Sequence, residues 1–276
     1  MTNSLLEKAS IHPSAVIHPS AEIGEGVIIG PNVVIGEGVK LGKGTKVIAN
    51  AYIEFAEIGE NCTISPFATI GSAPQDLGYK GEPTKVVIGN DTIIKENVTI
   101  HRGAACGDGT TRVGSKCLLM VGSHIAHNCV IEDQAILANL ATLGGHVHVG
   151  FGAFIGGMSV FHQNIRIGSM AIVSGFSASR QDILPYSKCD GRPAAPRGIN
   201  VIALKRRGVD LETRTAINKA FKFLTAGEYN TSQAIEKIKA ELPMNDYIEN
   251  MINFVESSKR GVVLRNHSSN NASMED

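Results

Sequence analysis

From Val113 to Val173 an apolar residue recurs every six positions: Val113, Leu119, Ile125, Ile131, Leu137, Leu143, Val149, Ile155, Phe161, Ile167 and Val173. That period matches neither the turn of an α-helix, about 3.6 residues, nor the alternation of an ordinary strand. It does match a solenoid in which each hexad is one short strand plus a corner, and each coil rests on the coil beneath. Three hexads make one turn of a triangular prism, with coils about 4.8 Å apart, the spacing of hydrogen-bonded parallel strands. The recurring positions are expected to point inward and the others to meet solvent or a partner subunit.

The same beat begins at Ile11 and runs through Ile17, Ile23, Ile29, Ile35, Leu41, Val47 and Ile53. One residue is dropped before it resumes at Ile58, Ile64 and Ile70. Small residues such as Gly30, Gly36 and Gly42 often follow the apolar stop, as expected of a corner with positive φ or crowded backbones. Two insertions, 71–87 and 101–112, interrupt the pattern. Insertions into a solenoid must leave the prism as loops, and such loops often form a binding face. Pro74, Gln75, Asp76, Lys80 and Lys85 give the first one groups suited to a sugar or phosphate.

A thin prism with an aliphatic core explains why the 276-residue chain has 30 glycines, no tryptophan and only 5% aromatics. Its formal net charge is zero, so no global field points to nucleic acid or a membrane surface. The five cysteines (Cys62, Cys106, Cys117, Cys129, Cys189) form no C-x-x-C pair and read as reduced thiols of a cytoplasmic protein. The opening MTNSLLEKAS lacks the basic-then-apolar run of a secretion signal. No apolar run approaches the roughly 20 residues that span a bilayer, so no stable membrane insertion is expected.

After Val173 the beat fades into a link containing Pro185, Pro193 and Pro196. From about Asn200 the pattern turns helical. Asp210 caps LETRTAINKAFKFL, with Leu211, Ala216, Ala220, Phe221 and Leu224 near one side; Thr231 or Ser232 caps SQAIEKIKAEL; Asn245 opens DYIENMINFVES. The polar tail NHSSNNASMED is expected to be loose. The reading is a β-helix domain over 1–194 and a helical domain over 195–276.

Ile125, Leu143 and Phe161 are 18 residues apart and therefore stack in successive coils. His127, His146 and His162 follow them by two, three and one residues, so all three belong to one corner of the prism, and His124 belongs to the same edge. Gly144 and Gly145 share that corner. Three readings compete: solvated corner histidines, a zinc site of the gamma carbonic anhydrase kind, and a general base beside a backbone N–H that could hold an oxyanion. Spacing alone leaves all three standing.

An ordered set of motifs narrows them: Ala73-Pro74-Gln75-Asp76-Leu77, Thr99-Ile100-His101-Arg102-Gly103, His124-Ile125-Ala126-His127, Leu143-Gly144-Gly145-His146-Val147, His162-Gln163 and Leu204-Lys205-Arg206-Arg207-Gly208. Over nearly the whole chain this resembles the acyl-ACP:UDP-N-acetylglucosamine O-acyltransferases, which open lipid A synthesis. The resemblance implies a mainly β fold, a left-handed parallel β-helix of hexapeptide repeats with a C-terminal α-helical domain. It implies a homotrimer with sites in clefts between neighbours, acyl carrier protein and UDP-N-acetylglucosamine as partners, and no metal or organic cofactor.

By resemblance, His127 is the base that deprotonates the sugar 3-hydroxyl, and Gly145 N–H holds the oxyanion. His124, His146 and His162 match contacts to sugar nucleotide or acyl donor, and Gln163 a nucleotide contact. Gln75 and Asp76 match a substrate-gripping loop; Asn200, Arg206 and Arg207 match contacts to uridine and phosphate, where an arginine fork suits phosphate oxygens. Taken alone, Lys205-Arg206-Arg207 reads as an exposed basic helix turn, a surface that could also receive the acidic carrier.

Some positions depart from the family pattern. Asn128 stands where aspartate often follows the base, and Gly78 where a lysine is common. Pro193 stands where some members place a histidine at the end of the acyl groove. Gly175 matches a chain-length determinant and leaves room for a longer acyl chain. The alternatives are a zinc hydratase, a non-catalytic scaffold, and the related N-acyltransferase. The last usually carries a uridine-binding domain ahead of its hexads, which here begin at Ile11.

Overall fold

The computed structural model describes residues 9–105 and 107–265. Over most of this length the chain is a left-handed parallel β-helix. Its strands, many only two residues long, form sheets of eleven, nine and eight strands, the three walls of a prism. Ladder partners 18 residues apart, such as Leu119 with Leu137 and Ile125 with Leu143, are parallel neighbours. Ile29, Ile35, Ile53, Ile64, Ile70, Ile100, Ile125 and Leu137 stack inside with almost no exposure. Each such side chain contributes roughly 1.5–3 kcal/mol by leaving water.

The remaining positions do not all meet solvent. The residue two before the apolar stop also faces inward, as strand alternation requires, and it is often small: Ala51, Ala68, Ser123, Ala141, Ser159 and Ala171 are buried there, as are the larger Val27, Val147 and Ile165. Cys62, Cys117 and Cys129 occupy this same position, where they serve as small fillers. Burial pushes the Cys117 thiol up to about 11 and that of Cys129 to about 12. These three and Cys189 are free thiols.

The corner geometry decides between the two reasons expected for a small residue after the stop. Positive φ falls three residues after the stop, at Asn32, Asn61, Asn97, Asn128 and Asn164, a conformation asparagine tolerates. Glycine directly after the stop answers crowding instead: a Cβ on Gly30 would lie 1.7 Å from Ile48 O in the coil above.

The beat outlasts Val173. Residues Ala178–Ser179 extend the nine-stranded sheet, but the inward stop is Ser179, which hides the repeat from an apolar count. Strands Ser187–Asp190 and Ala195–Ile199 then form an antiparallel hairpin on the eleven-stranded sheet, so the chain stays in strand five residues past 194.

Helices α1 (Val201–Arg206), α2 (Leu211–Thr225), α3 (Thr231–Glu241) and α4 (Asp246–Glu256) follow. Asp210 and Asn245 cap α2 and α4 as expected. Asn230, not Thr231 or Ser232, caps α3, closing a capping box with Gln233. Ala216, Ile217, Ala220, Phe221 and Leu224 build a second core with Ile238, Ile248 and Met251, while Leu211 points outward at 71% exposure. The polar tail lies outside the described residues. No helix among them is long and apolar enough to cross a membrane.

Candidate active site

Both insertions and the histidines share one edge. Ile70, Ile100, Ile125, Leu143 and Phe161 pair in succession along the nine-stranded sheet. The first excursion leaves just after Ile70 and the second just after Ile100, so both loops root at the corner where the later coils place His127, Gly145 and Gln163. The strands resume at Lys85 and Thr110, which narrows the excursions to 73–84 and 102–109. Lys85 is not part of the loop. It lies in the eight-stranded sheet, 2.9 Å from Glu57.

Arg102 fastens the first loop. Its guanidinium donates to Gly71 O (2.7 Å), to Glu54 Oε1 (3.0 Å) and to the Tyr79 hydroxyl (3.1 Å). His101, which sequence reasoning left unassigned, completes the root by donating from Nδ1 to Ala73 O at 2.7 Å. The signal was there: His101 directly follows the stop at Ile100. Within the loop Asp76 accepts from Gly78 N–H (2.8 Å), and its charge favours the protonated form of His146. Gln75 is exposed beside it.

The imidazoles lie in two edge-on pairs, His101 with His124 and His127 with His146, each with centroids 5.3 Å apart. His124 Nδ1 lies 2.7 Å from Thr99 Oγ1. Burial, then the neighbouring His101, holds His124 down at about 4. Burial is also the largest cause lowering His101 and His146, with His127 adding to both. At neutral pH His127 therefore sits among uncharged rings.

The tautomer of His127 follows from a longer-range contact. Asn128 Oδ1 accepts from Ala104 N (2.8 Å) while its Nδ2 donates to Ala104 O (3.2 Å), which fixes the amide's orientation. That same Oδ1 lies 2.9 Å from His127 Nδ1, so Nδ1 carries the proton and Nε2 is left as the basic lone pair. The second insertion thus sets the His127 ring through Asn128.

Nε2 points at Gly145. A Cβ there would lie 2.7 Å from both Nε2 and Cε1 of His127, so only glycine lets the ring approach this backbone. Gly145 N–H donates to no acceptor among the described residues. A basic lone pair and a spare amide donor are therefore close neighbours.

One coil higher, His162 and Gln163 are exposed on the same edge. A cavity of about 780 Å³ opens there over the nine-stranded sheet, walled by Val160, Ala178, Pro193, Ala194 and Val263, with Gly144, His162 and Arg180 among its polar lining. Pro193 thus lines a mostly apolar groove.

Gly175, Asn200, Arg206 and Arg207, the other residues expected at the site, lie elsewhere on the chain. Gly175 follows Val173 at the corner after the eleven-stranded sheet, where Phe67, Leu140, Met158 and Phe176 form an exposed apolar stripe. Arg207 lies at the third corner, donating to Gln134 Oε1 (2.7 Å) and stacked 4.4 Å over the Phe151 ring. Arg206 is exposed on α1. Asn200 caps that helix and donates to Met170 O (2.8 Å), so its amide is already engaged. Within one chain these residues do not join the histidine edge. Among the described residues no three His, Cys, Asp or Glu side chains converge so as to hold a metal ion.

Comparison with known proteins places the chain in a family. A family described as UDP N-acetylglucosamine O-acyltransferase, domain 2, matches residues 182–263, and the GMPPB C-terminal domain family matches 5–106. The acyl-(acyl-carrier-protein)–UDP-N-acetylglucosamine O-acyltransferase of Thermodesulfovibrio yellowstonii is 48% identical over 218 residues, covering 79% of this chain and 84% of that protein. A structure of the Acinetobacter baumannii enzyme superposes with a TM-score of 0.89 at 39% identity, covering 92% of this chain and 99% of the other. The Bacteroides fragilis UDP-N-acetylglucosamine acyltransferase gives 0.89 at 40% identity with the same coverage. This chain belongs to the UDP-N-acetylglucosamine O-acyltransferase family.

Proposed function

We propose that the protein transfers a 3-hydroxyacyl group from acyl carrier protein to the 3-hydroxyl of UDP-N-acetylglucosamine, the step that opens lipid A synthesis, with His127 as general base. Nε2 removes the hydroxyl proton as the oxygen attacks the thioester carbonyl. The carbonyl π electrons move onto oxygen, and Gly145 N–H donates to that oxyanion. Collapse breaks the C–S bond, and the imidazolium returns its proton to the departing carrier thiolate. Asn128 keeps the ring in the competent tautomer, and the three neutral histidines nearby supply uncharged donors and acceptors to the sugar.

The single observation that carries this reading is the approach of His127 Nε2 to the Gly145 backbone, with Nδ1 tied to Asn128. The mostly apolar cavity beside His162 suits an acyl chain. The layout of the three corners supports catalysis by a homotrimer, in which a neighbour's Gly175 edge would close the acyl groove and a neighbour's Arg206 and Arg207 would reach the nucleotide. The deciding experiment is a transfer assay with a panel of 3-hydroxyacyl carriers and both UDP-N-acetylglucosamine and its 3-amino analogue, on wild type and His127→Ala. Transfer that survives unchanged in the variant sinks the base assignment. Essential, stoichiometric zinc in the purified enzyme would favour a hydratase instead.

A further inference from the structure

The segment that follows α4 returns to the prism as a strap. Val263 is buried at the upper end of the β-helix core, whereas Val262 and Leu264 pack on the helical core. Buried Asp182 holds the strap: its N–H donates to Gly261 O (2.8 Å), its carbonyl accepts from Val263 N (2.8 Å), and its carboxylate accepts from the Ser258 hydroxyl (2.9 Å). Arg166 compensates the Asp182 charge at 3.0 Å. Residue 260 is thus pinned on both sides, so presenting its side chain costs little further ordering.

That side chain ends at the site. Arg260 Nη2 lies 3.2 Å from His162 Nδ1, and His162 lines the cavity proposed for the acyl chain. A guanidinium can only donate, so this contact requires a lone pair on Nδ1 and puts the ring proton on Nε2. A second partner competes: Gln163 O also lies 3.2 Å from Nδ1, and a carbonyl can only accept, which requires the opposite tautomer. A neutral ring can satisfy one of the two.

We infer that Arg260 is a positioning residue: it selects the Nε2–H tautomer of His162, so that this ring offers a donor to the acyl-donor side of the site. The strap is then part of the catalytic assembly as well as a plug for the prism. Without Arg260, the carbonyl of Gln163 captures Nδ1–H, and His162 presents a lone pair where a donor is needed.

This inference rests on the acyl-transfer reading, and two separate readouts keep them apart. In the full-length protein, nitrogen NMR of the His162 ring is expected to show an unprotonated Nδ1 in wild type and a protonated one in Arg260→Ala. Transfer from a 3-hydroxyacyl carrier is expected to lose roughly ten-fold in kcat/KM in Arg260→Ala, the scale of a lost charge-assisted hydrogen bond. Arg260→Lys, which keeps a cationic donor, should recover most of both signals. Ser258→Ala, which loosens the strap at Asp182 without touching His162, should lower Tm and leave the tautomer unchanged. A protonated Nδ1 in wild type overturns the inference, as does an Arg260→Ala enzyme whose tautomer switches while kcat/KM holds. If wild type transfers no acyl group, the functional reading fails, and the NMR result alone decides the tautomer.

Discussion

Two corners of this prism share a backbone and differ in what they carry. After the nine-stranded sheet, the position three past the stop is held by Asn128, His146 and Asn164; after the eleven-stranded sheet it is held by Leu140, Met158 and Phe176. All six have positive φ near 60°. The fold therefore asks only for a residue that accepts this strained geometry. Where side chains at the first corner are polar and converge, an imidazole and a backbone amide meet; at the other, apolar groups stay in water at 49–57% exposure. A strained, exposed Met or Phe gains nothing from its own coil. Contact with another surface gives such a stripe a use.

The sharpest way to break this comparison is to remove the His127 imidazole, the proposed base. His127→Ala is expected to cut acyl transfer by roughly 10²–10⁴-fold, the range for a lost general base, with Tm little changed because the ring is only half-buried. Steady-state kinetics with thermal melts on one preparation checks both halves. A large fall in Tm would mean that the imidazole holds the corner together.

Much of this architecture is legible in the sequence, because a column of aliphatic residues at a fixed period leaves few other folds. The shared edge of His127, His146 and His162 follows from the same arithmetic. What escaped has physical causes. Ser123 and Ser159 are core positions, yet an apolar count passes over them, and Ser179 conceals the last coil for the same reason. The common root of the two loops was readable by carrying the stack from Ile125 back to Ile100 and Ile70 across the insertions. The capping box Asn230…Gln233 was also visible, but Thr231 and Ser232 are equally good cap types. The Ala104–Asn128–His127 relay and the Arg260–His162 contact lie beyond local pattern, since each joins segments that only the fold brings together.

A matched pair of glycines sharpens the contrast next. Gly145 and Gly157 both sit two residues past a stop. A methyl at 145 would meet His127 Nε2 at 2.7 Å, whereas one at 157 would meet Asn139 O at 3.1 Å. Gly145→Ala should displace the imidazole and cost about 10²-fold in kcat, as misplacement by about an ångström can. Gly157→Ala should cost far less activity. Similar losses from the two would show that corner strain, not access to Nε2, governs activity.

The apolar corner has its own test. Phe176→Asp and Met158→Asp place a charge where each protomer is exposed, so an isolated chain should fold as before. If that stripe is covered by a neighbour, burying an unpaired carboxylate should weaken assembly on the order of 10²-fold or more. Sedimentation velocity across a dilution series would measure it. Activity should fall in step with assembly, because the arginines and the groove wall are then lost together. Unchanged assembly in both variants would return the stripe to solvent and remove the shared-site argument.

The smallest expected effect concerns pH and separates the first corner from the rest of the prism. His124 is held at about 4 by burial and His101, against an ordinary value of 6.5, so the folded chain resists a proton that the unfolded chain takes up. Its contribution to stability is complete above pH 6.5 and is lost as pH falls toward 4. Burial lowers His101 and His146 as well, which acts in the same sense. Wild-type Tm should therefore decline through this window, and His124→Gln, which cannot titrate, should flatten the slope by on the order of a few degrees. The apolar corner offers no titrating group at its matching positions, so Met158→Leu should leave the slope as it is. Equal slopes in wild type and His124→Gln would mean that the imidazole row carries none of the protein's acid sensitivity, and that carboxylates elsewhere govern it.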